Sequence, residues 1–143
     1  MVANVKDKAV IVGVGNTDFS KDSGVSELSL AVQATKIALD DAGLQPSDID
    51  GMATFTMDTN DEIEVARALG CGELTFWGRS HYGGGAATGT LHQAVMAIAT
   101  GMAETVVCFR ALNGRSGHRF SSGVSGEITT ADAIHWGWYM PYG

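Results

Sequence analysis

The chain has 143 residues, of which 45% are hydrophobic and 17% charged, so it is long enough to bury the core of one domain. Its net charge is −7 with no stripe of basic residues, which argues against a nucleic-acid ligand. An anionic ligand of another kind remains compatible, because a few local arginines can hold an anion. The longest apolar run, residues 9–14, is too short to span a membrane, and the N-terminus lacks an apolar signal-peptide core. We therefore expect a cytoplasmic protein without a membrane span.

The cysteines and histidines give no metal or disulfide pattern. Cys71 falls in a predicted turn, and Cys108 lies in an apolar run that is typical of an inert core thiol. The four histidines are scattered, and no Cys-x-x-Cys or His-x-x-x-His spacing occurs. We expect no metal site.

Apolar runs alternate with helical patterns along the first 110 residues. The predicted strands are residues 9–14, 51–57, 74–77 and 105–109. The predicted helices run from about 26 to 42, from a capping box at Thr59 and Glu62 to 69, and from the glycines at 83–85 to about 100. Gly43, Gly70 and Gly101 follow these helices, as left-handed C-caps do. The order β-α-β-α-β-α-β predicts an α/β layered fold with right-handed crossovers.

The regular pattern ends near Arg110. We divide the chain into an α/β domain, residues 1–112, and the truncated start of a loop region, residues 113–143, which is rich in glycine, serine and aromatic residues. Aromatic residues at 134–142 are compatible with a pocket for a flat apolar ligand, and equally with a core or an interface. No closing strand or helix precedes Gly143, so we expect a fragment.

Two glycine-rich stretches follow predicted strands. Gly13-x-Gly15 does not predict a dinucleotide site, because Asp18 stands at the position of the third glycine and the helix begins too late. The stretch at 81–90, HYGGGAATGT, is more informative, since the free amides at a helix N-terminus stabilise negative charge. Gly84, Gly85 and Ala86 are the candidate support for an oxyanion or enolate. Close packing of the helix through small residues explains the stretch equally well.

No nucleophile stands at this helix start. Residues 72–107 contain no cysteine, and we expect the hydroxyls of Thr88 and Thr90 to be helix caps. His92 is expected to be a neutral, hydrogen-bonded core histidine.

Cationic side chains follow the fourth predicted strand, where ligands of open α/β sheets bind. The candidate substrate- or CoA-binding residues are Arg110, Asn113, Arg115 and Arg119. Their guanidinium groups suit phosphates or a carboxylate. A solvated loop with ion pairs is the alternative.

Several strings resemble the actinobacterial lipid-transfer proteins, which are sterol-carrier-type relatives of the thiolases. They are SEL at 26–28, TFTMDTN at 54–60, ELTF at 73–76, HYGGGAA at 81–87, ATG at 99–101, RALN at 110–113 and RSG at 115–117. The element order also resembles the first half of a thiolase. The thiolase cysteine position falls on Gly84 by the length of the helix, or on Ala86 by aligning the string ATG at 87–89. Neither residue has a thiol, so covalent acyl transfer is not expected.

The resemblance implies a steroid side-chain aldolase. Such a protein cleaves a hydroxylated steroid side-chain CoA thioester by a retro-aldol reaction and releases propionyl-CoA. CoA then enters as part of the substrate, and no covalently bound cofactor is expected. The general base of the family is a tyrosine in the C-terminal half, which lies outside these residues. No catalytic residue is therefore assigned in this segment, which we expect to be inactive alone.

The resemblance also implies partners. A homodimer is expected through Phe76, Trp77, Arg79 and Ser80, and so is a small OB-fold partner protein associated with a hydratase. Two other interpretations remain open. In the first, the protein is non-catalytic and is either a carrier of lipid or acyl-CoA or an assembly subunit. In the second, it is a true thiolase that uses Cys71 or Cys108.

Overall fold

The computed structural model describes residues 5–55, 60–80 and 86–116. Its helices are α1 (Glu27–Ala42), α2 (Glu62–Leu69) and α3 (Ala86–Thr100), and a short 3-10 helix covers Pro46–Asp48. Its strands are β1 (Gly51–Phe55), β2 (Phe76–Ser80) and β3 (Val106–Cys108). Strands and helices alternate along the chain from β1 to β3, as the apolar pattern predicts.

The three strands form a parallel sheet in the order β2-β1-β3. Central β1 is buried at every position. Successive side chains of β1 point to opposite faces, so Ala53 faces α3 and Met52 faces the core that α1 and α2 cover. The molecule therefore has helices on both faces of a parallel sheet, which confirms the α/β layered prediction. The boundary at 112 between the two predicted domains stays a prediction.

Helix ends follow the predicted capping chemistry in most places. The Ser26 hydroxyl accepts the N–H of Ser29, and Gly43, Gly70 and Gly101 all have positive φ, between 69° and 80°. The predicted capping box of α2 is wrong. Asp61 is the N-cap, and the Glu64 carboxylate accepts its N–H at 3.4 Å. The spacing from Asp61 to Glu64 is the same as from Thr59 to Glu62, and a carboxylate also suits the positive helix end.

The first predicted strand is also wrong. Residues 9–14 run without helix, turn or bend, but they pair with no strand within the described ranges. The segment lies along α1 instead, where the N–H of Val14 donates to Asp41 Oδ2 at 2.9 Å. An apolar run becomes a strand only when a neighbour completes the hydrogen-bond ladder, and a groove separates this segment from β3.

Strand β2 begins and ends later than predicted. Thr75 precedes it, donating its N–H to the Asp50 carbonyl and its hydroxyl to the Met102 carbonyl, so pairing with β1 starts only at Phe76. The strand continues through Arg79 and Ser80, whose polar side chains hide it in the hydropathy pattern. Polar residues are tolerated there because β2 lies at an edge of the sheet that the described residues form.

Candidate functional site

The carboxyl ends of the three parallel strands meet at one edge of the sheet, where α/β proteins bind ligands. Phe55, Ser80 and Cys108 end the strands. The Arg110 guanidinium lies 5.1 Å from the centroid of the Phe55 ring, a cation–π contact that joins the segment after β3 to the end of β1. This edge is the candidate site.

Helix α3 begins at the same edge. A Cβ added to Gly89 would lie 3.0 Å from Ser80 Oγ, and the carbonyl of buried Thr90 accepts from Cys108 Sγ at 3.6 Å. The first turns of α3 therefore lie directly against the ends of β2 and β3. Ala86 is the first residue of the helix, while Gly84 and Gly85 lie outside the described residues.

Close packing explains at least one glycine of the HYGGGAATGT stretch. Gly89 sits where a side chain would press on Ser80. Further along α3, an added Cβ on Gly78 of β2 would lie 2.5 Å from Gln93 Oε1, the end of a flexible side chain that can move aside. The close approach of the helix to the sheet therefore depends on Gly89. Whether Gly84, Gly85 and Ala86 support an oxyanion stays a prediction.

Two predictions on α3 are wrong. Thr90 is not a cap, because its hydroxyl donates to the Ala87 carbonyl at 2.7 Å inside the helix. His92 is exposed rather than part of the core. It lies about half a helical turn away from buried Thr90 and Ala94, on the outer face.

The thiols are unsuited to nucleophilic attack. Burial raises the pKa of Cys108, and burial also raises the pKa of Cys71, from the ordinary value of 9.0. Both side chains therefore remain protonated at neutral pH, and the thiolate is the reactive form. Cys108 faces Thr90 from beneath α3. This chemistry disfavours a thiolase that uses either cysteine.

We expect iodoacetamide to alkylate Cys108 in the folded protein at pH 7.5 about tenfold or more slowly than after denaturation in urea, because burial suppresses both ionisation and access. Peptide mass spectrometry over time measures the two rates. The rate in the folded state should rise with pH beyond 9.0. Fast labelling of native Cys108 at pH 7 would instead indicate an activated thiolate.

The predicted dimer residues share one edge strand but differ in surroundings. Trp77 is 68% exposed, Phe76 is half-buried and Ser80 is buried. Arg79 crosses to the start of α2, where Nη2 lies 2.8 Å from Asp61 Oδ1 and 3.1 Å from Glu62 Oε2. The hydrogen bond that Arg79 donates to the Glu62 carboxylate raises the pKa of Arg79 further. Arg79 thus connects β2 to the start of α2 through two ion pairs, a role that the sequence does not indicate.

A cleft of about 330 Å³ opens between residues 15–23 and residues 110–116. Lys21, Arg110 and Arg115 line it, so two of the predicted CoA-binding arginines are brought together. Arg119 lies outside the described residues.

Asn113 joins the two loops of this cleft. Its Oδ1 accepts from the Ser23 hydroxyl at 2.6 Å, its Nδ2 donates to the Val25 carbonyl at 2.8 Å, and its N–H donates to Glu27 Oε1 at 2.9 Å. These bonds occupy the carboxamide within the protein. Asn113 therefore fixes the shape of the cleft, and its contact with a ligand stays a prediction.

Residues 5–55, 60–80 and 86–116 contain neither a candidate membrane span nor a candidate metal site. No helix among them is both long and apolar enough to cross a membrane. Nor do three histidine, cysteine or acidic side chains come together there in a way that would hold a metal ion.

Curated proteins give close sequence matches, although no family model matches the chain. A steroid side-chain-cleaving aldolase from Thermomonospora curvata is 56% identical over 94% of this chain and 35% of its own length. A 17-hydroxy-3-oxo-4-pregnene-20-carboxyl-CoA lyase from Mycobacterium tuberculosis is 64% identical over 79% of this chain and 29% of its own length. The chain thus spans about a third of the length of the curated relatives it matches.

Solved structures agree in fold. A structure described as an Ltp2-ChsH2(DUF35) aldolase superposes with a TM-score of 0.78 at 54% identity, over 93% of this chain and 33% of that one. A monomeric SCP2-thiolase-like protein from Mycobacterium smegmatis matches 68% of this chain and 22% of its own, at 28% identity and a TM-score of 0.57. With its layered sheet and its cysteine-free α3, the chain is a thiolase-like polypeptide related to the steroid side-chain-cleaving aldolases.

Proposed function

We propose that the protein to which this chain contributes is an aldolase that cleaves the side chain of a steroid acyl-CoA thioester. The observation that carries the proposal is identity of 56% and 64% to an aldolase and a lyase of this class, in a segment whose α3 has no thiol. Thiolase chemistry needs a cysteine nucleophile, whereas retro-aldol cleavage needs only an acid–base pair and an oxyanion site.

The proposed reaction is a redox-neutral C–C cleavage. A base removes the proton of the hydroxyl on the ring carbon that bears the side chain, this carbon becomes a ketone, and its bond to the α-carbon of the thioester breaks. Its electron pair enters the thioester as an enolate, which takes up a proton to give propionyl-CoA. In this proposal, backbone amides at Gly84, Gly85 and Ala86 stabilise the enolate oxygen, and Ala86 is the first residue of α3. One such donor is worth about 10²–10³ in rate.

The base belongs to polypeptide outside these residues, as the family resemblance implies. The reaction requires no covalently bound cofactor, because no electrons are gained or lost overall. CoA takes part only as a portion of the substrate. The raised pKa of Cys108 supports a reaction without a thiol nucleophile, since that thiol stays protonated beside α3.

We propose that the cleft between residues 15–23 and 110–116 receives the anionic part of CoA. Arg110 and Arg115 supply permanent charge there, Lys21 adds a third cation, and Asn113 holds the loops together. Arg119 belongs to the same proposed set. Arginine suits phosphate because its planar fork donates two parallel hydrogen bonds.

The test uses the full-length protein and the CoA thioester of a 17-hydroxylated steroid with a three-carbon side-chain acid. We expect propionyl-CoA and a 17-ketosteroid in equal amounts, and no product from residues 1–143 alone. Arg115→Ala should raise KM roughly tenfold through the lost ion pair, with little change in kcat. Arg67→Ala, on α2 and away from the cleft, is the matched control. Tight binding without any cleavage would favour the carrier interpretation.

We further propose a homodimer formed through β2. The strand is at the edge of the described sheet, and it carries the exposed Trp77 next to Phe76, with Arg79 and Ser80 at its end. An exposed edge strand with a large aromatic side chain is a ready site for pairing with a second copy.

Trp77→Glu should convert the dimer to monomers at micromolar concentration, because two carboxylates would meet near the twofold axis. Light scattering coupled to size-exclusion chromatography measures the mass. Phe19→Glu replaces an even more exposed aromatic residue away from β2 and should leave the mass unchanged. A Trp77→Glu protein of unchanged dimeric mass would place the interface elsewhere.

A hetero-partner is also proposed, namely a small OB-fold protein associated with a hydratase. The description of the solved structure with the TM-score of 0.78 names two components, Ltp2 and ChsH2(DUF35). Such a pair is compatible with a hetero-complex. Co-purification of the full-length protein with that partner is the direct check.

A further inference from the structure

An exposed aromatic ring lines the cleft between residues 15–23 and 110–116. The side chain of Phe19 is 98% exposed, more than any other large apolar side chain in the described ranges, of which Val10 comes next at 78%. A single exposed apolar residue is ordinary on a protein surface. The groups that surround Phe19 in the cleft are therefore what make its position informative.

The cleft around Phe19 has an excess of positive charge. Three cationic side chains line it, those of Lys21, Arg110 and Arg115, against one carboxylate, that of Asp18. Within the part of the chain that the structure describes, Lys21 and Arg115 form no ion pair, because both ion pairs found there belong to Arg79. Their charge is therefore free to act on an anionic ligand.

The loop that carries Phe19 is anchored at both ends. At its start, Gly15 rests on the backbone of α1, where an added Cβ would lie 2.2 Å from the Ala34 carbonyl oxygen. At its end, the Ser23 hydroxyl donates to Asn113 Oδ1 at 2.6 Å, which ties the loop to the opposite wall of the cleft. Anchoring of this kind lowers the conformational entropy that the loop loses when a ligand binds.

The cleft suits a ligand that combines a flat π-surface with more than one negative charge. The guanidinium groups match phosphate oxygens, and the exposed face of the Phe19 ring matches a planar heterocycle. The steroid part of the proposed substrate has neither property, because its rings are largely saturated and uncharged. Within CoA, both properties occur together only at the nucleotide end, where adenine is joined to a ribose that bears a 3′-phosphate and a 5′-diphosphate.

We propose that this cleft is a nucleotide subsite, in which the Phe19 ring stacks on the adenine of CoA and the three cations bind its phosphates. The inference rests on the proposed acyl-CoA substrate and assigns the end of CoA that the cleft receives. Pockets for small molecules have volumes of about 300–1,000 Å³. The cleft, at about 330 Å³, holds the nucleotide end and leaves the pantetheine arm outside. Arg110 also contacts the Phe55 ring, so the cleft adjoins the edge of the sheet where the thioester is proposed to react.

Calorimetric titration of the full-length protein with adenosine 3′,5′-bisphosphate tests the subsite without any turnover. Phe19→Ala should raise the Kd of this nucleotide about tenfold, the usual cost of removing an aromatic ring from beneath a base. The Kd of inorganic pyrophosphate should stay unchanged in the same variant, because pyrophosphate has no base to stack. Arg115→Ala should weaken the binding of both ligands. Ile63→Ala, at a residue of α2 that is 50% exposed, is the matched control and should affect neither.

A conservative substitution adds a second readout. Phe19→Trp should bind adenosine 3′,5′-bisphosphate at least as tightly as the unsubstituted protein, and the nucleotide, but not pyrophosphate, should quench the added indole fluorescence.

The outcomes separate this inference from the proposed function. An unchanged Kd of the nucleotide in Phe19→Ala would overturn the stacking assignment, even where Arg115→Ala weakens both ligands and so supports an anion site for CoA. An equal loss of nucleotide and pyrophosphate binding in Phe19→Ala would also overturn it. So would a lower free energy of unfolding for Phe19→Ala, because the ring would then pack against the remainder of the protein. Selective loss of nucleotide binding in a protein that cleaves no steroid thioester would support the subsite and contradict the proposed reaction.

Discussion

Gly15→Ala should lower the free energy of unfolding by about 1–3 kcal/mol, the range observed when a side chain is forced into a packed site. The added Cβ would meet three backbone atoms of α1, at 2.2 Å from the Ala34 carbonyl oxygen and at 2.5 Å and 3.1 Å from Ala38 N and Cα. Backbone atoms of a helix cannot rotate away as a side-chain end does. The segment from 9 to 15 must then move off α1, and the groove beside β3 loses a wall.

Urea unfolding followed by circular dichroism measures this effect. Gly72→Ala is the matched control, because an added Cβ there meets nothing within 4 Å and its φ is not in the left-handed region. It should be neutral or stabilise the protein by up to about 1 kcal/mol through the unfolded chain. Equal free energies of unfolding for the two variants would show that residues 13–15 do not rest on α1 as described.

Met52→Ala should cost about 2–5 kcal/mol, the usual range for truncating a core methionine. Met52 has no exposed surface and lies in the middle of β1, where it packs among Ile49, Val65 and Leu69. Truncation leaves a cavity between the sheet and the two helices, and these elements are too constrained to collapse into it. A protein of ordinary stability would lose a large fraction of its folded population.

Met96→Ala removes the same atoms from a side chain that is 54% exposed on α3, and it should change the free energy of unfolding by less than about 0.5 kcal/mol. Melting temperatures of both variants should be recorded beside the urea midpoints. A Met52→Ala protein as stable as Met96→Ala would place β1 at the surface.

The helices were predictable because their signals are local. Ser26 and Gly43 bound α1 within the chain itself, and each cap needs only its neighbours. Strands depend on partners that the local pattern does not name. Residues 9–14 have the composition of a buried strand and yet pair with none in the described part of the molecule, whereas β2 carries Arg79 and pairs fully with β1. A hydropathy pattern indicates that a segment is buried on both faces. It does not indicate which neighbouring strand supplies the backbone hydrogen bonds.

The candidate site divides in the same way. The position of Arg110 and Arg115 after a carboxyl strand end could be predicted from the rule for parallel sheets. The hydrogen bond from Ser23 to Asn113 joins residues 90 positions apart, and nothing in the sequence around either residue indicates it. The ion pair between Arg79 and Glu62 likewise depends on the position of β2 relative to α2. Such contacts follow from the fold and become visible only with it.

Cleavage carried out in deuterated water tests the central claim, that this thiolase-like chain serves thioester chemistry without a sulfur nucleophile. The full-length protein is incubated with the 17-hydroxylated steroid CoA thioester. The masses of both products and of the intact protein are then measured by mass spectrometry. We expect propionyl-CoA that carries one deuterium beside its carbonyl, because the enolate is protonated from solvent, and a protein mass that never increases. An acyl adduct on Cys71 or Cys108, or a folded complex that releases no propionyl-CoA, would contradict it.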